Sequence, residues 1–176
     1  MKFHPLPLSG AYLIEPDHLH DDRGFFSTLF IAEEFKKWNL AHSFPQVNNS
    51  LSKKKGTLRG IHYQIPPFAQ AKLLRCLSGA LLDCLVDLDP HSPTYLKHHL
   101  IPLSATSRQL LYLPETFGHA FLTTEDNTEL LYFASAPYSP EHELGLPWND
   151  PTLNIAWPSA PTIVSHKDLN YERIGD

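Results

Sequence analysis

No stretch of this chain is apolar for long enough to cross a bilayer as a helix. Its first residues, Met-Lys-Phe-His-Pro-Leu-Pro-Leu, are too few and too broken by proline to form a signal peptide. Both absences predict a cytoplasmic protein with no membrane partner. Cysteine is scarce, at Cys76 and Cys84 only. If Ser78-Gly79 is a two-residue hairpin turn, Leu77 faces Ala80 and Leu73 faces Cys84, so the two thiols point to opposite faces of a sheet and stay free. Positive charge is also short: 14 Lys and Arg against 19 Asp and Glu leave a net charge of −5. That excludes a broad nucleic-acid surface. An anionic small ligand is still allowed, because a pyrophosphate needs only a few local cations, such as Arg23, Arg59 and Lys167. Long helical runs are missing too, as 16 prolines dictate. What is left is a chain of 176 residues, 42% hydrophobic and without repeats or linkers. It fits one domain over 1–176 that can bury a core without staples.

The chemistry concentrates in Thr57-Leu-Arg-Gly-Ile-His-Tyr-Gln64 and its continuation Ala71-Lys72-Leu-Leu-Arg75. One imidazole, two guanidinium groups and one ammonium fall on strand-like sequence, a rigid support. An imidazole beside a fixed cation suits proton removal from carbon with stabilisation of the anion left behind. The competing reading is an exposed edge strand with solvated side chains. Arg59 and His62 stand an odd number of residues apart, so a regular strand would send them to opposite faces. Either Gly60 marks a bulge, or Arg59 acts from the start of the strand.

In chain order, strands are predicted at 11–16, 24–30, 45–50, 57–64, 72–77, 80–88, 97–103, 109–113, 119–123 and 128–136. The only good helix signal lies at 31–40, where Phe35 and Trp38 share a face. Short strands with frequent turn signals indicate an all-β sandwich or barrel. After Pro137 the chain is aperiodic, a tail expected to wrap the barrel and to be pinned by Trp148 and Trp157. His18 and His20 have the H-x-H spacing of metal ligands, but no third ligand is evident; solvent-facing loop histidines are expected. On the hairpin register, Lys72 shares a face with Asp83, Leu74, Cys76, Leu81 and Asp87. A buried lysine needs a partner, so an Asp83–Lys72 contact is predicted.

Leu58-Arg59-Gly60-Ile61-His62-Tyr63-Gln64 resembles the signature of the dTDP-4-dehydrorhamnose 3,5-epimerases. Further motifs follow in that family's order: Asp22-Arg23-Gly24-Phe25-Phe26, Gln46-Val47-Asn48-Asn49-Ser50, Pro66-Pro67 with Lys72, and Gly118-His119-Ala120-Phe121. Later come Leu131-Tyr132, Tyr138-Ser139-Pro140-Glu141, Trp148-Asn149-Asp150-Pro151, Ile155-Ala156-Trp157-Pro158 and Ser165-His166-Lys167-Asp168. Together they span most of the chain.

The resemblance implies an all-β, cupin-type double-stranded β-helix (jelly roll) with one or two short helices. It implies an isomerase that needs no cofactor or metal. Metal-binding cupins place H-x-H on a barrel strand, and here that strand offers only Ile61-His62-Tyr63. The implied reaction is epimerisation at C3 and C5 of dTDP-4-keto-6-deoxy-D-glucose, on the way to dTDP-L-rhamnose. By this match His62 is the base, Asp168 its orienting carboxylate, Lys72 the enolate stabiliser and Tyr132 the acid on the opposite face. Arg23, Phe25, Gln46, Asn48, Arg59, His119, Tyr138, Glu143 and Lys167 match positions that bind nucleotide and sugar. The family also implies a homodimer that exchanges its N-terminal strands.

Four positions depart from the family's pattern. Thr28 stands where Glu is common, Val47 where Asp is common, Phe133 where Lys is frequent, and Pro137-Tyr138 where a Tyr pair is usual. None removes the base, the acid or the enolate stabiliser, yet they leave room for a single-position epimerase or another nucleotide. The 3,4-ketoisomerases of similar fold are disfavoured by Tyr132 and the Arg-Gly-Ile-His order. A non-catalytic nucleotide-sugar-binding cupin is disfavoured by the intact set His62, Lys72, Tyr132 and Asp168.

Overall fold

The computed structural model describes residues 1–175. Its strands are β1 (Lys2–Pro5), β2 (Tyr12–Glu15), β3 (Leu19–Asp21), β4 (Gly24–Phe26), β5 (Gln46–Ser52), β6 (Thr57–Gln64) and β7 (Lys72–Ser78). They continue with β8 (Ala80–Asp87), β9 (His98–Ser104), β10 (Leu110–Leu113), β11 (Phe117–Thr123), β12 (Thr128–Ala134), β13 (Glu143–Gly145) and β14 (Ile163–Val164). Helix α1 is Ala32–Lys37 and α2 is His166–Leu169. One sheet runs β1-β2-β10-β7-β12-β5, and the facing sheet runs β13-β6-β11-β8-β9 with β14 added parallel to β6. This is the all-β sandwich expected from the strand pattern, of the cupin type that the family resemblance implied.

Alternation along the strands divides the apolar residues into three bodies. Leu74, Cys76, Leu111 and Leu130 of the first sheet meet Leu81, Leu85, Phe117 and Phe121 of the second between the layers. Leu73, Leu110, Tyr112 and Ile14 face the other way and are covered by Phe35 of α1. Ile61, Cys84, Val86 and Ala120 form the back of the second sheet, covered by Leu146, Leu153 and the half-buried Trp157. The Trp157 indole also donates to the Trp148 carbonyl at 2.9 Å, so the two tryptophans tie down the tail as expected.

One sequence expectation fails in an instructive way. Residues 72–78 and 80–87 are not a hairpin: β7 lies between β10 and β12, whereas β8 lies between β11 and β9 in the opposite sheet. The chain turns a corner at Gly79, which has φ +69° and could carry a Cβ only against the Thr128 hydroxyl at 2.6 Å. Such corners let a strand leave one layer of a sandwich for the other. Both cysteines are still free and buried, but because Cys76 points into the central core and Cys84 into the back cluster.

Smaller differences follow from tertiary context. The 24–30 strand stops at Phe26, and the helix has six residues because Trp38 already caps it. Trp38 is 44% exposed yet stacks on Phe3 with centroids 5.1 Å apart. His18 is half-buried rather than solvated, packing edge-on to Phe25. The tail holds two short strands and α2, elements too brief to leave a periodic signal.

Candidate active site

Strand β6 is the wall on which the site is built, and its irregularity is what makes the site possible. Opposite β11, His62 pairs with His119 and Arg59 pairs with Phe121, so Gly60 and Ile61 together face Ala120. This is a β-bulge, and it resolves the parity problem: Arg59 and His62 line the same cavity. Gly60 has φ +111°, and a Cβ there would come within 2.7 Å of the Ala120 Cα. Gly60→Ala is therefore expected to lose about 1–3 kcal/mol of stability, as residues forced into rare backbone conformations do. Chemical denaturation measures it, and an unchanged midpoint would mean that the bulge relaxes freely.

The cavity has two lobes. The larger, about 470 Å³, is lined by Arg59, His119, Phe121, Lys167 and Asp168 among others. The smaller, about 280 Å³, is lined by Gln46, Asn48, Gln64, Gln70, Tyr138 and Glu143. His62, Lys72 and Tyr132 belong to both, so three strands of both sheets bring their reactive groups to the junction.

His62 Nε2 lies 2.7 Å from Asp168 Oδ1, and Asp168 Oδ2 accepts the Gly60 N–H at 3.1 Å. Asp168 is 3% exposed. Burial raises its carboxyl pKa, but the hydrogen bonds from His62 and Gly60 and the imidazole's charge more than offset this and hold it below the usual carboxylate value. An ionised acceptor fixes the tautomer: Nε2 carries the proton given to Asp168, and the lone pair on Nδ1 is left for chemistry. The carboxylate is aimed by α2, whose Ser165 cap accepts the Asp168 N–H at 3.0 Å.

Lys72 is almost fully buried, and burial depresses its ammonium pKa to about 8 against the supporting charges of Asp83 and Glu143. The expected Asp83–Lys72 contact is not made as an ion pair. Asp83 Oδ2 instead accepts from His119 Nε2 at 3.0 Å, forming a second buried imidazole–carboxylate pair. Alternation had placed Lys72 and Asp83 on one interior, and they do share it, but across the sandwich. Tyr132 is kept a phenol by burial, which raises its pKa against the opposing charge of Arg59.

The remaining polar groups are tied to one another. Tyr138 Oη donates to Glu143 Oε2 at 2.7 Å, and Lys167 Nζ donates to the same oxygen. Gln46 accepts the Tyr138 N–H at 2.7 Å and donates to Asn48 at 2.9 Å. Arg59 reaches Ser52 Oγ and the Leu51 carbonyl, both at 3.2 Å. Of the catalytic and binding residues expected from sequence, all but Arg23 and Phe25 line the cavity. Those two sit on the exposed β3–β4 hairpin, where Arg23 pairs with Asp21 at 2.5 Å and Phe25 lies under Arg108. Sequence reasoning misassigned one neighbour of the imidazoles and missed another. Asp83 was noticed, but for the wrong partner; Tyr171, whose ring meets His62, comes from the aperiodic tail and carries no signal.

Comparison with known proteins gives the arrangement a context. The sequence profile of the dTDP-4-dehydrorhamnose 3,5-epimerases matches residues 5–176. An enzyme of that name from Sinorhizobium fredii is 43% identical over 169 residues, covering 96% of this chain and 87% of its own. A dTDP-4-dehydro-6-deoxyglucose 3-epimerase from Streptomyces bikiniensis is 40% identical over 171 residues, covering 95% and 86%. The crystal structure of the Bacillus anthracis 3,5-epimerase with TDP and pyrophosphate bound superposes with a TM-score of 0.92 at 38% identity, covering 98% of each chain. A profile match of that extent, with relatives of this identity along nearly their whole length, places the chain in the dTDP-4-dehydrorhamnose 3,5-epimerase family.

Proposed function

We propose that the cavity epimerises C3 and C5 of dTDP-4-keto-6-deoxy-D-glucose, giving dTDP-4-keto-L-rhamnose, with His62 as base and Tyr132 as acid. The observation that carries this reading is the His62–Asp168 pair set beside Lys72 and Tyr132 at one cavity junction. The 4-ketone acidifies the neighbouring C–H bonds. His62 Nδ1 takes the proton, the electron pair moves onto the C4 oxygen, and the Lys72 ammonium stabilises the enolate. Asp168 stabilises the imidazolium, as the carboxylate of a catalytic triad does. Tyr132 then returns a proton to the opposite face of the carbon, which inverts the centre.

The two lobes suit the two halves of such a substrate. Tyr138, with Gln46 and Asn48, offers a flat ring and amide groups to a nucleotide base, while Arg59, His119 and Lys167 offer cations and donors to phosphate and sugar. Arg23 and Phe25 would join them from a partner subunit. That reading, a homodimer exchanging N-terminal strands, is supported by the exposure of Leu19 and Phe26 on the same hairpin, at 68% and 67%. A solution mass of one chain would sink it. No helix among the described residues is long and apolar enough to cross a membrane.

Incubation with dTDP-4-keto-6-deoxyglucose in D2O tests the reaction. Deuterium at both C3 and C5 is expected; label at one carbon would assign a single-position epimerase, and no label would overturn the reading. Tyr132→Phe is expected to keep proton abstraction while inversion falls by about 10²-fold, the lower range for a general acid. Loss of abstraction as well would mean that the tyrosine does more than reprotonate.

A further inference from the structure

Tyr171 follows Asp168 by one turn of chain and lines neither lobe of the cavity. Its ring nonetheless stands edge to face with the His62 imidazole, with centroids 5.9 Å apart and planes at 68°. The ring is seated on Gly145 of β13, the residue paired with His62 across the sheet edge. Any Cβ at Gly145 would overlap the ring's Cζ, Cε1 and Cε2 atoms. The chain on either side is fastened: Ser165 caps α2, and the Ile174 N–H donates to the buried Asp150 at 2.8 Å. The phenol oxygen is buried with no partner in good hydrogen-bond geometry, although the Lys167 ammonium lies near it.

We propose that Tyr171 is a positioning residue for the base: its ring, resting on Gly145, covers the His62–Asp168 hydrogen bond from outside the cavity and fixes the imidazole with Nδ1 toward the substrate carbon. A buried charge-assisted hydrogen bond weakens when water can compete for it, and an imidazole free to rock loses its aim at the carbon. The residue acts through His62 and touches no substrate. The inference rests on the assignment of His62 as base.

The test measures deuterium incorporation, and the downfield imidazole N–H proton signal by NMR, in the full chain. The variants are Tyr171→Ala, Tyr171→Leu, Tyr171→Phe, Gly145→Ala and the double variant Tyr171→Ala with Gly145→Ala. The Ala, Leu and Gly145 variants are expected to lower kcat about tenfold with KM within about twofold, as misalignment of a reacting group does. They should also broaden the N–H signal into water. Tyr171→Phe should retain both rate and signal. Because the glycine matters only while the ring is there, the double variant should be no worse than Tyr171→Ala alone. Far-UV circular dichroism confirms folding, and the Leu and Gly145 variants carry the test if Tyr171→Ala does not fold. Wild-type rates and signal in Tyr171→Leu and Gly145→Ala would overturn the proposal, as would a Tyr171→Phe loss equal to that of Tyr171→Ala. A His62→Ala control separates the two layers: full exchange in that variant would remove the base assignment itself, whereas its silence beside an unaffected Tyr171→Leu would remove only the role of the tyrosine.

Discussion

Replacing His62 with alanine, or Asp168 with asparagine, is expected to slow deuterium exchange at every carbon by about 10³–10⁴-fold with binding nearly intact. On the proposed assignment the alanine variant has no base. The asparagine variant retains the shape and fails for a different reason, written in the two hydrogen bonds of the carboxylate. Asp168 accepts from His62 through Oδ1 and from the Gly60 amide through Oδ2. An amide side chain has only one acceptor. If its oxygen serves Gly60, its NH2 faces His62 Nε2 and forces the proton onto Nδ1, where the lone pair is needed. If its oxygen serves His62, its NH2 opposes the Gly60 N–H and the strand must shift. Equal exchange rates in Asp168→Asn and the parent would show that the tautomer is set elsewhere.

Lys72→Met is expected to lower kcat by about 10²–10³-fold, the range for removing one donor to a developing oxyanion. The same change should leave the protein as stable at pH 7, or more so. Burial holds the Lys72 ammonium at a pKa of about 8, below its ordinary value of 10.5. Below about pH 8 the lysine is charged in both folded and unfolded chains, and the burial penalty, on the order of 3 kcal/mol, is fully present. Between pH 8 and 10.5 the unfolded chain binds more protons, so native stability contributed by this group rises with pH. Above 10.5 both states are neutral. Activity runs the other way, because enolate stabilisation needs the cation: kcat/KM should fall along an alkaline limb near pH 8, absent in the methionine variant. Thermal melts at pH 7 and 9.5, beside the rate profile, check both signs. A methionine variant that melts far below the parent at pH 7 would contradict the burial argument.

Much of this site could be read from the chain because three of its groups, His62, Lys72 and Tyr132, lie on strands. Strand 57–64 was delimited from sequence at the ends the structure shows, and alternation correctly turned Lys72, Leu74, Cys76, Leu81 and Asp83 toward one interior. Pairing was another matter. Ser78-Gly79 looks the same whether a strand folds back on itself or crosses to the facing sheet, since glycine satisfies either turn. The choice depends on partners such as β10 and β12, which are far away in sequence. The parity of Arg59 and His62 posed the right question, and only the register against β11 could answer it. Asp168 was identified by family likeness alone, being 106 residues from its histidine. Tyr171 had no such help, because neither spacing nor motif foretells which tail residue will lie on a glycine.

The orienting carboxylate is carried by one of the slightest parts of the molecule. Strand β14 is two residues long, and α2 is a single turn held by a serine cap and an amide of β6. Segments of this kind open at lower free energy than the sheets they rest on. The enzyme should therefore have two melting points, one for competence and one for shape. Warming would first release the 163–171 segment, leaving an intact sandwich whose imidazole has lost its direction. Exchange activity should then vanish several degrees below the loss of β circular dichroism, reversibly on cooling. Coincident curves would mean that the last turn of chain is as firmly built as the barrel.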